Sequence, residues 1–126
     1  SSAPLPKELE QAVAVPEKDL MTRVNEIVAA NISNTELSVE MLCSELCMSR
    51  SALFTKVKAA SGTTPNNIIM EARLKSSAAL LTAGKYSIAE ISYMVGFNSP
   101  SYFSKCFQRQ FGMTPHDWLD SNRKNC

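Results

Sequence analysis

One stretch of this chain occurs twice, the second copy starting 50 residues after the first, and that duplication restricts the fold to a pair of like units. Ser49-Arg50-Ser51-Ala52-Leu53, running on to Gly62-Thr63-Thr64-Pro65, returns as Ser99-Pro100-Ser101-Tyr102-Phe103, running on to Gly112-Met113-Thr114-Pro115. The segment before each copy matches at an offset of 49, with Ser38-Val39 on Ser87-Ile88, Leu42 on Ile91 and Leu46 on Val95. The one-residue difference falls where a turn belongs. Each unit therefore reads as two short helices around a tight turn, the second helix opened by a serine cap and closed by glycine. That is the pattern of a helix-turn-helix, whose second helix is commonly presented to a major groove.

Size and composition are compatible with this and exclude other classes. With 126 residues, 44% apolar and 20% charged, the chain suits one domain or two small lobes sharing a helix. No apolar run approaches the ~20 residues that cross a bilayer, and Ser1-Ser2-Ala3-Pro4 lacks a charged-then-apolar leader. A cytoplasmic protein without membrane contact is expected. The first residue is not Met, and the chain reads as a piece cut from a longer protein. The net charge is only +1, but it is unevenly spread. Residues 1–47 carry three basic residues against eight acids, a net of −5, whereas residues 48–126 carry ten against four, a net of +6. The duplicated part is the basic part, as attraction to phosphate requires.

No catalytic or metal-binding set stands out. Cys43 and Cys47 are four apart on a predicted helix, but zinc needs two further ligands and the single histidine is His116. Cys43 and Cys106 read as small apolar residues, and Cys126 as a free tail. No cofactor, no metal and no enzymatic activity are expected. A DNA-repair enzyme on a similar frame needs an activated cysteine, and neither inward cysteine has a histidine beside it in sequence.

The chain reads as helices throughout. Residues 1–16, with Pro4, Pro6 and Pro16, read as a linker or partly ordered arm. A first subdomain follows over 17–64. Leu20, Val24, Ile27 and Val28 form one stripe, stopped at Asn31 to Asn34. Ser38 caps a helix facing inward through Val39, Leu42 and Leu46 and ending near Cys47, without the acidic partner of a full capping box. Ser49 caps a helix over 50–60 with Leu53, Val57 and Ala60 on one face and Ser51, Phe54, Thr55 and Lys58 on the other. Thr64-Pro65 opens a connecting helix over 65–83, about 28 Å long against the ~34 Å repeat of B-DNA. Its apolar positions make two stripes, one of Ile69, Ala72, Ser76, Ala79, Leu80 and Ala83, the other of Ile68, Leu74, Ala78 and Leu81. The second subdomain spans 84–126. There Ser87 caps a helix that buries Ile88, Ile91 and Val95 before Gly96 turns the chain. The next helix buries Phe103, Cys106, Phe107 and Phe111 and leaves Ser101, Ser104, Lys105 and Gln108 outside. Pro115 starts a last helix, in which Trp118 and Leu119 form an apolar lid and His116 is solvated. Arg73 is expected to pair with Glu90.

Arg73-Leu74, Leu80-Leu81, Ile88-Ala89-Glu90-Ile91, Val95-Gly96-Phe97, Ser101-Tyr102-Phe103 and Phe107 through Gly112-Met113-Thr114-Pro115 closely resemble the signature of AraC/XylS family DNA-binding modules. The resemblance covers about residues 20–120. It implies an all-α module of seven helices, two helix-turn-helix subdomains joined by a long connecting helix, attached to a ligand-sensing or signalling domain. Ser49-Arg50-Ser51, Leu53, Lys56 and Pro65-Asn66 resemble the versions at the C-terminal end of response regulators and hybrid two-component sensors, which implies an upstream phosphoreceiver. RNA polymerase is a further implied partner. Two departures stand out. Gln108-Arg109 replaces a usual pair of lysines, and Cys47 replaces the glycine common at the first turn, so the lobes are expected to bind unequally.

The function expected is sequence-specific binding of double-stranded DNA in transcription regulation. Ser49 and Ser99 start the two reading helices and aim their amides toward phosphate. Lys58, Lys85 and Arg109, joined by Gln108 in its reduced role, are the backbone candidates. Arg50, Ser51, Phe54 and Thr55 in the first unit, and Ser101, Tyr102, Ser104 and Lys105 in the second, are the base-edge candidates, with Arg50 equally suited to a phosphate. Two unlike heads on one chain imply two adjacent, dissimilar groove segments, and if the heads lie closer than the helical repeat either the DNA bends or only one head seats fully. The alternative, a helical protein-interaction module without DNA binding, would place Leu, Met or aromatic patches on these faces instead of Ser, Thr and Lys.

Overall fold

The structure, a computed structural model, describes residues 17–124. The arm expected over 1–16 and the tail at Cys126 lie outside the described residues. The described chain is all-α, with seven helices: α1 (Glu17–Ala30), α2 (Val39–Leu46), α3 (Arg50–Ser61), α4 (Pro65–Ala83), α5 (Ile88–Met94), α6 (Pro100–Phe111) and α7 (Pro115–Lys124). None of them is long and apolar enough to cross a membrane.

Local chemistry places the helix starts. The side-chain oxygens of Ser38, Ser49, Thr64, Ser87 and Ser99 accept hydrogen bonds from the amides of Met41, Ala52, Asn67, Glu90 and Tyr102 at 3.1–3.3 Å. Each cap satisfies an amide that the first helical turn leaves unpaired, a contribution of about 1 kcal/mol. The Ser87 hydroxyl also donates to the Glu90 carboxylate at 3.2 Å. The turn between α2 and α3 is closed by Cys47, at φ 54° and ψ 45° the one non-glycine residue with positive φ among the described residues. The turn is tight despite the missing glycine, because the Met48 amide reaches the Cys43 carbonyl at 3.0 Å. A side chain in this left-handed region costs about 1–2 kcal/mol.

Two apolar cores share α4. In the first, α1, α2 and α3 bury Leu20, Val24, Val28, Val39, Leu42, Leu46, Leu53 and Val57 around Ile68 and Ile69 of α4. In the second, Leu74 and Leu81 of α4 meet Ile91, Val95, Phe97, Phe103, Cys106 and Phe107. Aromatic rings run through this second core, Phe97 to Phe103 at 5.2 Å, Phe103 to Phe107 at 5.8 Å and Phe107 to Trp118 at 5.7 Å. Trp118 covers the end of that series, and its indole N–H donates to Thr82 Oγ1 at 3.3 Å, tying α7 to α4.

Three expectations change. Ala60 is exposed, since α3 meets its core only through the turns holding Leu53 and Val57. The two stripes of α4 do not run its full length. Ala79 and Ala83 are exposed and Ser77 is fully buried, its hydroxyl donating to the Leu74 carbonyl at 2.6 Å. The helix is shared along its length, Ile68, Ile69 and Ala72 facing the first core and Met70, Leu74, Ala78, Leu80 and Leu81 the second. Arg73 does not pair with Glu90. Glu90 is exposed and engaged with Ser87, while Arg73 Nη2 donates to the Asn34 carbonyl at 2.9 Å, in the loop between α1 and α2.

That contact joins the lobes. Ile32, in the same loop, packs against both cores. Gly96, in the turn between α5 and α6, lies so close that a Cβ there would stand 2.7 Å from the Ile32 carbonyl oxygen and 2.9 Å from Arg73 Cζ. Burial pushes the Arg73 guanidinium below its ordinary pKa, and its Nε has no hydrogen-bond partner.

Two variants measure these backbone constraints. Gly96→Ala combines an unfavourable φ of +89° with a backbone clash, and denaturant melts are expected to show a loss of about 3 kcal/mol or more. Gly62→Ala, with φ +78° and nothing within 4 Å, is expected to lose only about 1 kcal/mol, and equal losses would refute the crowded junction. Cys47→Gly is expected to raise stability by about 1 kcal/mol by releasing the left-handed strain, and a lower melting midpoint would contradict it.

Candidate nucleic-acid interface

The same device builds both faces. A helix that buries residues three and four apart leaves the intervening positions outside, and caps and glycine stops set where that face begins and ends. In α3, Leu53 and Val57 are fully buried, which leaves Ser51, Thr55 and Lys58 exposed. In α6, Phe103 and Phe107 are fully buried, which leaves Ser101, Lys105, Gln108 and Arg109 exposed. Ser51 and Ser101 occupy equivalent places, as do Thr55 and Lys105, and Lys58 and Gln108.

On α3 the side chains are already engaged. Arg50 Nη1 donates to Glu40 Oε1 at 2.8 Å, and its guanidinium lies over the Phe54 ring, 5.0 Å from the centroid. Arg50, Ser51 and Phe54 surround a hollow of about 350 Å³. Phe54 is half-buried against the first core, so it forms the floor of this face. Lys58 Nζ donates to the Gly62 carbonyl at 3.1 Å and is exposed, free to exchange that bond for a phosphate oxygen. Ser49 is exposed, with its hydroxyl oxygen occupied by the cap.

On α6 the candidates are more dispersed. Tyr102 is 54% exposed, so it belongs to the outer face. Its interaction with the neighbouring Cys106 side chain, and a little desolvation, hold its hydroxyl above the usual tyrosine pKa, with Arg109 opposing. The phenol is therefore a neutral donor. Tyr102 and Arg109 share a cleft of about 370 Å³ with Asn66, Asn67 and Glu71 at the start of α4, floored by Met70, Leu74 and Cys106. Ser104 is half-buried and recedes from the face, and Ser99 is half-buried at the cap. Lys85 is exposed in the loop between α4 and α5, outside both reading helices.

Chemically, these faces offer hydroxyl groups that either donate or accept, two arginine forks, ammonium groups and a phenol donor, the inventory that base edges and phosphates recognise. Sequence reasoning missed Glu40 and the Asn66–Asn67 pair. Glu40 lies ten residues before Arg50, in the first turn of the preceding helix, and only the angle between α2 and α3 brings the two together. Among the described residues, no group of three or more His, Cys, Asp or Glu is placed to hold a metal ion, and Cys43, Cys47 and Cys106 are free thiols.

Comparison with known proteins agrees with the geometry. A family model described as a helix-turn-helix domain matches residues 42–121. Histidine kinase P4 of Formosa agariphila is 45% identical over 102 residues, covering 81% of this chain but 7% of that protein. The chain thus corresponds to a small part of that relative's length. A Chromobacterium violaceum transcriptional regulator, described as containing an AraC-type DNA-binding domain, superposes with a TM-score of 0.77 at 28% identity, over 83% of this chain and 93% of that one. The C-terminal domain of AraT, a response regulator from Geobacillus stearothermophilus, has the same fold, with a TM-score of 0.77 at 24% identity over 81% of this chain and 84% of that one. With two capped reading helices on one connecting helix and a family match across both units, the chain belongs to the AraC/XylS family of helix-turn-helix modules.

Proposed function

We propose that this chain is a sequence-specific double-stranded DNA-binding module that regulates transcription by seating α3 and α6 in adjacent major-groove segments. The observation that carries the reading is the pair of equivalent outer faces. Each follows a serine cap and carries Ser, Thr, Lys or Gln where the inner face carries Leu, Val or Phe. Burial does not demand such residues, whereas groove edges and phosphates do. A protein-interaction module would expose a contiguous apolar patch, and the large exposed hydrophobic residues among those described are Tyr86, Tyr93 and Tyr102.

In this reading the first subdomain spans residues 17–64, the connecting helix 65–83 and the second subdomain 84–126. Ser51, Phe54, Thr55, Ser101, Tyr102 and Lys105 meet base edges, with the half-buried Ser104 set behind them, while Ser49, Ser99, Lys58, Lys85, Gln108 and Arg109 position the backbone. The 19 residues of α4 make a rod of about 28 Å against the ~34 Å repeat, and if it holds the heads closer than that repeat the DNA must bend or only one head seats fully. The module is the C-terminal output of a larger cytoplasmic signalling regulator, with a receiver or sensor domain upstream and RNA polymerase as a further partner. Support for that placement comes from the kinase relative, of which this module is a small fraction, and from the fold shared with a response-regulator C-terminal domain.

Selection of bound fragments from random DNA, read at two salt concentrations, tests the reading. Thr55→Ala and Ser101→Ala are expected to change the preferred bases in one half of the site each. Lys58→Ala is expected to weaken binding to every sequence and to flatten the logarithmic salt dependence by roughly one. Binding that is insensitive to salt, or a site profile unchanged by both readout variants, would overturn the assignment.

A further inference from the structure

The most specific interaction on either outer face is the one sequence reasoning did not foresee. Arg50 in the first turn of α3 is held on two sides, by the Glu40 carboxylate at 2.8 Å and by the Phe54 ring at 5.0 Å. Both charged side chains are largely exposed, 58% for Arg50 and 76% for Glu40, so burial does not force the pairing. The second unit, which repeats the caps and the stops, repeats none of this. The residues equivalent to Glu40, Arg50 and Phe54 are Ala89, Pro100 and Ser104. Acid, base and ring are present together in one copy and absent together from the other.

We infer that Glu40 is a specificity-setting positioning residue, which makes Arg50 a reader of base edges in place of a clamp on phosphate. The inference deepens the DNA-binding reading above and rests on it. An ion pair carries no net charge, so phosphate gains little from approaching it, and little counterion release accompanies such a contact. The guanidinium still has spare donors. It has five N–H groups in a rigid plane, and Glu40 engages one nitrogen, Nη1. With Nη1 held by the carboxylate and the plane lying over Phe54, Arg50 lines the hollow it shares with Ser51 and keeps spare donors for an acceptor pair on a base edge. Without Glu40 the same side chain is a mobile unit charge in the first turn of a groove-facing helix, and the nearest phosphate is its strongest attraction.

The test uses the 126-residue chain, labelled duplexes carrying the selected site, single-base variants of that site and an unrelated duplex, each titrated at several salt concentrations. E40Q is expected to bind the unrelated duplex more tightly and to steepen the logarithmic salt slope by about one. It is also expected to lose about tenfold of the discrimination at the base pair facing Arg50. R50K, which keeps the charge but not the fork, is expected to leave the salt slope as it is and to lose the same discrimination. E40Q with an unaltered slope and base profile overturns the inference, as does R50K with the original base profile. The unsubstituted chain separates the two claims. If it shows no salt-dependent binding, the DNA-binding reading fails, whereas if it binds as expected and E40Q changes nothing, only the role of Glu40 fails.

Discussion

The relation between the two lobes depends on one crowded junction, where Arg73 of α4 lies between the α1–α2 loop of the first lobe and the α5–α6 turn of the second. The guanidinium donates to the Asn34 carbonyl, and Gly96 approaches both it and the Ile32 carbonyl so closely that a methyl group would collide with each. A charged group half withdrawn from water, with one nitrogen unpaired, is a costly thing to place in an interior. Here it is a rigid planar spacer with its hydrogen bond fixed in direction. Ile32 packs against both cores beside it, so the lobes meet through an apolar contact as well as through the shared helix. Two lobes of about fifty residues, each marginal alone, thereby stabilise one another.

Fixing the lobes fixes the reading heads. Each reading helix is docked by fully buried residues, Leu53 and Val57 in α3, Phe103 and Phe107 in α6, so neither rolls without opening a core. Both helices are referred to α4, which contributes Ile68 and Ile69 to one core and Leu74 and Leu81 to the other.

The two units use one backbone plan with different chemistry. Their caps and glycine stops correspond, but the first core is aliphatic while the second is a run of rings closed by Trp118. The outer faces differ as well. The first has an arginine bound to a carboxylate and stacked on a ring, and the second has an exposed tyrosine that shares a cleft with Arg109. One unit holds an ion pair at the start of its second helix, and the other has Ala89 and Pro100 at the equivalent places.

Much of this was legible in the order of residues alone. Helix starts, stops and inner faces are local properties, set by a hydroxyl reaching an amide three residues on, by a glycine that accepts positive φ, and by apolar spacing of three and four. The duplicated motif therefore revealed the seven helices, the connecting rod and the outer positions of Ser51, Thr55, Ser101 and Lys105. What lay beyond it were contacts between segments distant in sequence. Arg73 chose a backbone carbonyl 39 residues away over the expected Glu90, which its own cap already occupied. Cys47 accepted a strained turn that glycine usually makes, and Ser77 rather than Ala79 or Ala83 faced the core, because the rotation of α4 is decided by both lobes at once. Glu40 met Arg50 only because α2 and α3 cross at that turn. Periodicity and capping act within a few residues and can be read along the chain, whereas which charge meets which partner depends on the packing angle of whole helices, and only the folded molecule sets that angle.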